Sequence, residues 1–240
     1  MPLPLTYTIR LTKKRQLTHN IYDFEFELVE PKTITFLPGQ FVLVKTRHPQ
    51  TKELLSRAYS IASSLSPENK ILLCVQILPD GKLTPLMKNW TLGQEAEMQG
   101  PFGFFTLKSL PDRDLILAAT ATGIAPLRAM IENRLTNNAP GKIQLYLGVR
   151  SENDIFYQEI LDSWTRKHPQ FTYTYCLSRS KENRTGRKGR VTQILQGENL
   201  EIKNTDVYLC GGKEMITELL LILKKKGFKE DQIHFEQYFL

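Results

Sequence analysis

The strongest constraint in this chain is a change of hydrophobic period near Pro111-Asp112-Arg113. Before it, apolar and polar residues alternate one by one. Phe24, Phe26 and Leu28 are interleaved with Glu25 and Glu27, and Tyr7, Ile9 and Leu11 with Thr8 and Arg10. That alternation marks strands with one buried face. Phe41 to Val44 follows a Pro38-Gly39-Gln40 turn, and Tyr59 to Ala62 and Ile71 to Ile77 read as further strands. Short strands parted by turns such as Pro79-Asp80-Gly81 predict a small antiparallel barrel or sandwich.

After the change, strands and helices take turns. Leu115 to Ala119 is a continuous apolar run, as in a strand covered on both faces. A helix follows, with Pro126 in its first turn and Leu127, Met130, Ile131 and Leu135 at helical spacing. Further strands are predicted at 143–149, 171–177, 207–210 and 233–239, and helices at 154–164, 191–195 and 214–226. The last helix ends in a lysine run and Gly227, which suits its dipole and its stop. The order implies a doubly wound parallel sheet with right-handed crossovers. For 240 residues, two domains are expected, 1–110 and 111–240.

Composition narrows the classes of function. Cys74, Cys176 and Cys210 lack the paired spacing of a zinc or iron–sulfur site, and His19, His48, His168 and His234 are scattered, so no metal is expected. The longest apolar run near the C-terminus, Leu219 to Leu223, is far below the ~20 residues that cross a bilayer. No signal-peptide core is visible, and a cytoplasmic protein is the expectation. The net charge of +7 fits nucleic acid, an acidic protein or a phosphorylated ligand. Its basic residues gather between Arg179 and Arg190, with no nucleic-acid recognition motif, so nucleic acid is not expected.

Several segments carry chemistry. At Thr122-Gly123-Ile124-Ala125-Pro126 a buried strand enters a helix through small residues, leaving N–H groups for an anion. A tight turn packed for its own sake has the same look. Arg57 can grip a diphosphate, and Tyr59, two residues on, offers a flat face, although a tyrosine there also suits ordinary packing. In Gly81-Lys82-Leu83-Thr84, Gly81 permits a positive φ before a helix at 85–90; the turn is either a phosphate seat or a plain Thr84 cap. Cys210-Gly211 ends a second buried strand, where α/β sheets gather ligands, or where a small buried cysteine simply packs. The stretch from Arg179 to Arg190 holds six Lys/Arg against Glu182 and is either a solvated loop or a seat for a terminal phosphate.

Taken together these segments resemble the ferredoxin–NADP⁺ reductase-type flavoproteins. The matching pieces, in the family's order, are Phe36 to Phe41, Arg57-Ala58-Tyr59-Ser60, Gly81 to Thr84, Gly100-Pro101-Phe102-Gly103, Thr122 to Pro126 and Cys210-Gly211. The resemblance implies an antiparallel flavin-binding barrel followed by a nicotinamide-nucleotide domain. It implies that Arg57, Lys82, Leu83 and Thr84 hold the FAD diphosphate, that Tyr59 stacks on the isoalloxazine and that Ser60 hydrogen-bonds the hydride-accepting nitrogen. Thr122 and Gly123 would cradle the nicotinamide nucleotide beside Gly211. Cys210 would stand by the hydride-donating carbon, with Glu236 as an acidic residue near the flavin. Ser178, Arg179 and Arg187 resemble the 2′-phosphate segment of NADP-using relatives, so NADPH is expected over NADH. Departures are Ala119 and Ala121 in place of glycines and a chain that ends Tyr238-Phe239-Leu240.

The implied function is hydride transfer between NAD(P)H and FAD, then electron delivery to a redox protein such as ferredoxin or flavodoxin. A flavin reductase using flavin as substrate and an electron-transfer subunit of a larger complex are the alternatives.

Overall fold

The computed structural model describes residues 5–64, 69–180 and 186–238. The chain divides into two compact units. One is Met1–Leu107 with Arg128–Asn133; the other is Lys108–Leu127 with Arg134–Leu240.

The first unit is a curled antiparallel sheet of β1 (Leu5–Gln16), β2 (Ile21–Glu30), β3 (Phe41–Arg47), β4 (Leu54–Ser60), β5 (Lys70–Gln76) and β6 (Glu95–Phe102), in the order β4-β3-β6-β1-β2-β5. An isolated bridge from Ile61 to Leu73 joins the two sheet ends. The alternation read from the sequence is the burial pattern: Phe24, Phe26 and Leu28 point inward with Tyr7, Ile9 and Leu11, and they pack with Val42, Val44, Leu73 and Met98. Helix α1 (Thr84–Asn89) follows the β5 turn and buries Met87 in the same core.

Two expectations for this unit change. β4 begins at Leu54 rather than Tyr59, so Arg57 lies within a strand, opposite Val44, and not at a loop end. β6 is not anticipated, because glutamates and Gly100-Pro101 dilute its β-forming residues, yet Met98 and Gly100 face inward with period two.

The second unit has one fully parallel sheet. Its strands are β7 (Asp114–Thr120), β8 (Ile143–Val149), β9 (Phe171–Leu177), β10 (Arg187–Lys188), β11 (Thr205–Gly212) and β12 (Ile233–Tyr238), ordered β10-β9-β8-β7-β11-β12. The chain winds outward from β7 to β10 and then returns to the other side of β7 as β11. The switch point therefore falls between β7 and β11, where open α/β sheets take ligands. Helices α2 (Ile124–Thr136), α3 (Gln158–Lys167), α4 (Val191–Gly197) and α5 (Lys213–Lys226) make the crossovers. Gly227, at φ 104°, closes α5 and donates to Leu223 and Lys224 carbonyls.

Helix α3 starts later than the expected residue 154. Glu152–Asp154 forms only one 3₁₀ turn, and Tyr157, at φ 64°, is left-handed and stops any continuous helix from 154. The short strand β10 also escapes sequence reading, because two exposed basic residues carry no periodicity. Phe239, the end of the predicted last strand, lies outside the described residues with Leu240, as does the 181–185 part of the basic stretch.

Candidate active site

In the first unit the segment Arg57-Ala58-Tyr59-Ser60 runs along β4 beside β3, with Tyr59 opposite Val42 and Ser60 opposite Phe41. Alternation sends Arg57 and Tyr59 to one side. Arg57 is exposed, and its guanidinium donates to the Ser56 carbonyl at 2.7 Å. Tyr59 has a half-buried ring, but its hydroxyl oxygen is buried with no hydrogen-bond partner. Burial also pushes that phenol well above its ordinary pKa. An unpaired buried hydroxyl costs roughly 1–3 kcal/mol. A ligand with a polar arm would remove that cost, so this residue fits a flavin better than it fits plain packing. Ser60 is buried at the strand end.

The turn after β5 is organised by Thr84. Its hydroxyl accepts the Leu78 N–H at 3.0 Å, and Gly81 N–H donates to the Leu78 carbonyl at 2.9 Å. The Thr84 side chain is thus tied into the turn, and what the turn offers an anion is the start of α1 at Lys82, Leu83 and Thr84. Gly81 does not adopt the positive φ that the sequence allows. Glycine is suited there by space: a Cβ would lie 3.1 Å from both the Leu78 carbonyl oxygen and Thr84 Oγ1. The Lys82 ammonium pairs with Glu53 at 2.8 Å and holds that carboxyl below its usual range.

In the second unit, register brings the two predicted strand ends together. Cys210 of β11 sits opposite Ala119 of β7 on one side and Glu236 of β12 on the other. β7 ends at Thr120, and Ala121–Gly123 makes a 3₁₀ turn into α2. Thr122 and Gly123 therefore stand beside Cys210 and Gly211. The approach is tight: a Cβ on Gly123 would lie 2.3 Å from the Cys210 carbonyl oxygen, and one on Gly211 would lie 2.5 Å from Thr120 Oγ1. A Cβ on Gly212 would meet open space. Backbone at a switch point, packed by glycines below and open beyond, suits a flat nucleotide ring. Cys210 is buried, which pushes its thiol far up, and the neighbouring Glu236 carboxylate adds to the effect.

The remaining predicted residues cluster at the end of β9. Ser178 N–H donates to the Val149 carbonyl at 3.1 Å and Arg179 N–H to the Arg150 carbonyl at 2.7 Å. Both side chains are exposed. Arg187 lies alongside on β10, opposite Cys176, but its guanidinium is paired with Glu198. Glu198 carries no motif of its own and is invisible to sequence reading; only the fold brings it to Arg187.

The comparisons agree with this geometry. Residues 8–107 match the oxidoreductase FAD-binding domain model, and residues 117–219 match the oxidoreductase NAD-binding domain model. Curated relatives that align with nearly the whole chain are named as electron transfer or reductase components of dioxygenase and monooxygenase systems. The chain belongs to the ferredoxin reductase-type flavoprotein family. Among its relatives, the toluate 1,2-dioxygenase electron transfer component of Pseudomonas putida is 27% identical across 97% of this chain and 67% of its own length. The propane 2-monooxygenase reductase component of Rhodococcus jostii is 27% identical across 95% of this chain and 62% of its own length. The chain thus spans about two thirds of the length of these curated relatives. A solved ferredoxin NADP⁺ reductase from Neisseria gonorrhoeae with bound FAD and NADP shares the fold, with a TM-score of 0.85 at 20% identity over 98% of this chain and 99% of that one. The family's antiparallel unit and parallel-sheet unit are both present, and its members are FAD- and NAD-binding oxidoreductases. No described helix is long and apolar enough to cross a membrane.

Proposed function

We propose that this chain takes hydride from a nicotinamide nucleotide onto FAD and passes the electrons to a redox protein. The observation that carries the reading is the meeting of Thr122-Gly123 with Cys210-Gly211 at the β7–β11 switch point, in a chain that also has a flavin-type β4 segment. We assign residues 1–110 to flavin and 111–240 to the nucleotide.

Arg57 and the start of α1 at Lys82, Leu83 and Thr84 hold the FAD diphosphate. Tyr59 lies against the isoalloxazine, and Ser60 hydrogen-bonds its hydride-accepting nitrogen. Thr122, Gly123 and Gly211 position the nicotinamide. Cys210 keeps its thiol protonated through burial and lies against the nicotinamide as a neutral, close-packed wall, with Glu236 beside it. Ser178 and Arg179 receive the adenosine end, and the exposed Arg179 cation favours NADPH over NADH. Bound flavin supplies the conversion of a two-electron donor into single electrons; the chain supplies orientation and polarity.

The acceptor is a redox protein of the ferredoxin, flavodoxin or oxygenase-component type, met in the cytoplasm; relatives named as components of a dioxygenase and a monooxygenase support a redox-protein acceptor. An absorption spectrum of the purified chain followed by anaerobic titration with NADPH and NADH tests the reading. Copurified FAD that bleaches with one equivalent of nucleotide is expected. A colourless chain with weak, equal affinity for FMN and FAD would favour a flavin reductase instead.

A further inference from the structure

We infer that Glu198 is a specificity-determining residue that restrains Arg187 and so limits the preference for a 2′-phosphorylated nucleotide. The inference rests on the assignment of the β9 end to the adenosine. Arg187 sits one residue before Lys188, which pairs with Leu177 at the end of β9, so its backbone flanks the turn carrying Ser178 and Arg179. By position it belongs to the phosphate seat.

Its side chain is committed elsewhere. The guanidinium donates to the Glu198 carboxylate, and the pairing raises the arginine pKa further. Glu198 caps the C-terminal end of α4, and its backbone carbonyl accepts the Lys226 ammonium at 2.6 Å, so the backbone that carries the carboxylate is tied at both α4 and α5. Tyr146 and Cys176, on the sheet face covered by α4, lie near enough to feel the Glu198 charge. An incoming 2′-phosphate would have to draw Arg187 away from this carboxylate and tolerate the carboxylate's own negative charge. A 2′-hydroxyl needs neither. One side chain thereby weakens the discrimination that Arg179 provides.

The probes are 2′,5′-ADP and 5′-AMP, titrated calorimetrically into the flavin-loaded chain at low salt. Glu198→Gln keeps the backbone bond to Lys226 and removes only the charge. It should tighten 2′,5′-ADP by about three- to ten-fold, the scale of one partly screened charge, and leave 5′-AMP unchanged. Glu198→Asp, which keeps the charge, should behave closer to wild type. In an Arg187→Ala background the gain from Glu198→Gln should largely vanish, since the freed arginine carries it. Unchanged 2′,5′-ADP affinity in Glu198→Gln, or an equal gain for both probes, overturns the inference. Absence of binding by either probe to the wild-type chain overturns the underlying assignment of the β9 end instead. Matching circular dichroism and melting of each variant exclude misfolding as the cause.

Discussion

Cys210 and Glu236 occupy the same level of two neighbouring parallel strands, β11 and β12. A carboxylate beside a buried thiol works against ionisation, and burial works the same way, so the thiol stays protonated. A buried, protonated thiol is a poor nucleophile, and Cys210 is assigned no covalent step. Iodoacetamide should leave it unmodified in the folded chain at neutral pH while labelling it in urea. Cys210→Ala should slow flavin reduction in stopped flow and keep FAD bound. Rapid native alkylation that abolishes activity would contradict the assigned role.

The turn into α2 makes opposite predictions for two small residues on either side of Thr122. Ala121 has φ 47°, a left-handed conformation that costs an L-residue roughly 1–2 kcal/mol. Ala121→Gly should stabilise the chain by about 0.5 kcal/mol after the entropy of glycine is counted. Gly123 has no such strain but no room either. Gly123→Ala drives a methyl into the Cys210 carbonyl and should cost about 2 kcal/mol or more, with weaker nucleotide binding. Urea melts of both variants give the signs directly.

The orphaned Tyr59 hydroxyl separates stability from cofactor affinity. In the flavin-free chain Tyr59→Phe removes an unsatisfied buried oxygen and should be neutral or stabilising by up to about 1 kcal/mol. With FAD present the same change should weaken binding by roughly 3–10-fold, one lost hydrogen bond. Arg57→Ala should lose ~10–100-fold in FAD affinity, one charge-assisted contact, with little change in apo stability because the side chain is exposed. FAD fluorescence quenching measures both.

Cys176 contributes to an alkaline loss of stability. The side chain is fully buried, and burial pushes its thiol from 9.0 up to about 12. Below pH ~9 the thiol is protonated in both folded and unfolded chains, so its contribution is fully present. As pH rises toward about 12, the unfolded chain ionises first and stability falls, with a limiting slope near 1.4 kcal/mol per pH unit for this group. Urea midpoints measured at about pH 8 and about pH 10.5 should drop less in Cys176→Ala than in wild type. Equal drops would mean that other groups carry the alkaline transition.

Local chemistry determined the two-part plan. Strict alternation at Tyr7, Ile9, Leu11, Phe24, Phe26 and Leu28 can bury a face only as strands, and the run from Leu115 to Ala119 only with cover on both sides. The turn positions, the Gly227 stop and the order of the motif segments were also legible, because each depends on residues close in sequence; the tight packing that suits Gly81 to its turn was not. Tertiary structure decided the rest. It set Cys210 between Ala119 and Glu236, since strand order is chosen by crossover handedness and not by any one strand. It drew β6 into the centre of its sheet despite two glutamates, because pairing on both sides with β1 and β3 outweighs weak local propensity. It stopped α3 from beginning at 154 through a left-handed Tyr157 whose ring is buried. It also gave Arg187 a carboxylate partner. That ion pair spans β10 and the end of α4, and Coulomb attraction acts on distance in space, which spacing along the chain does not report.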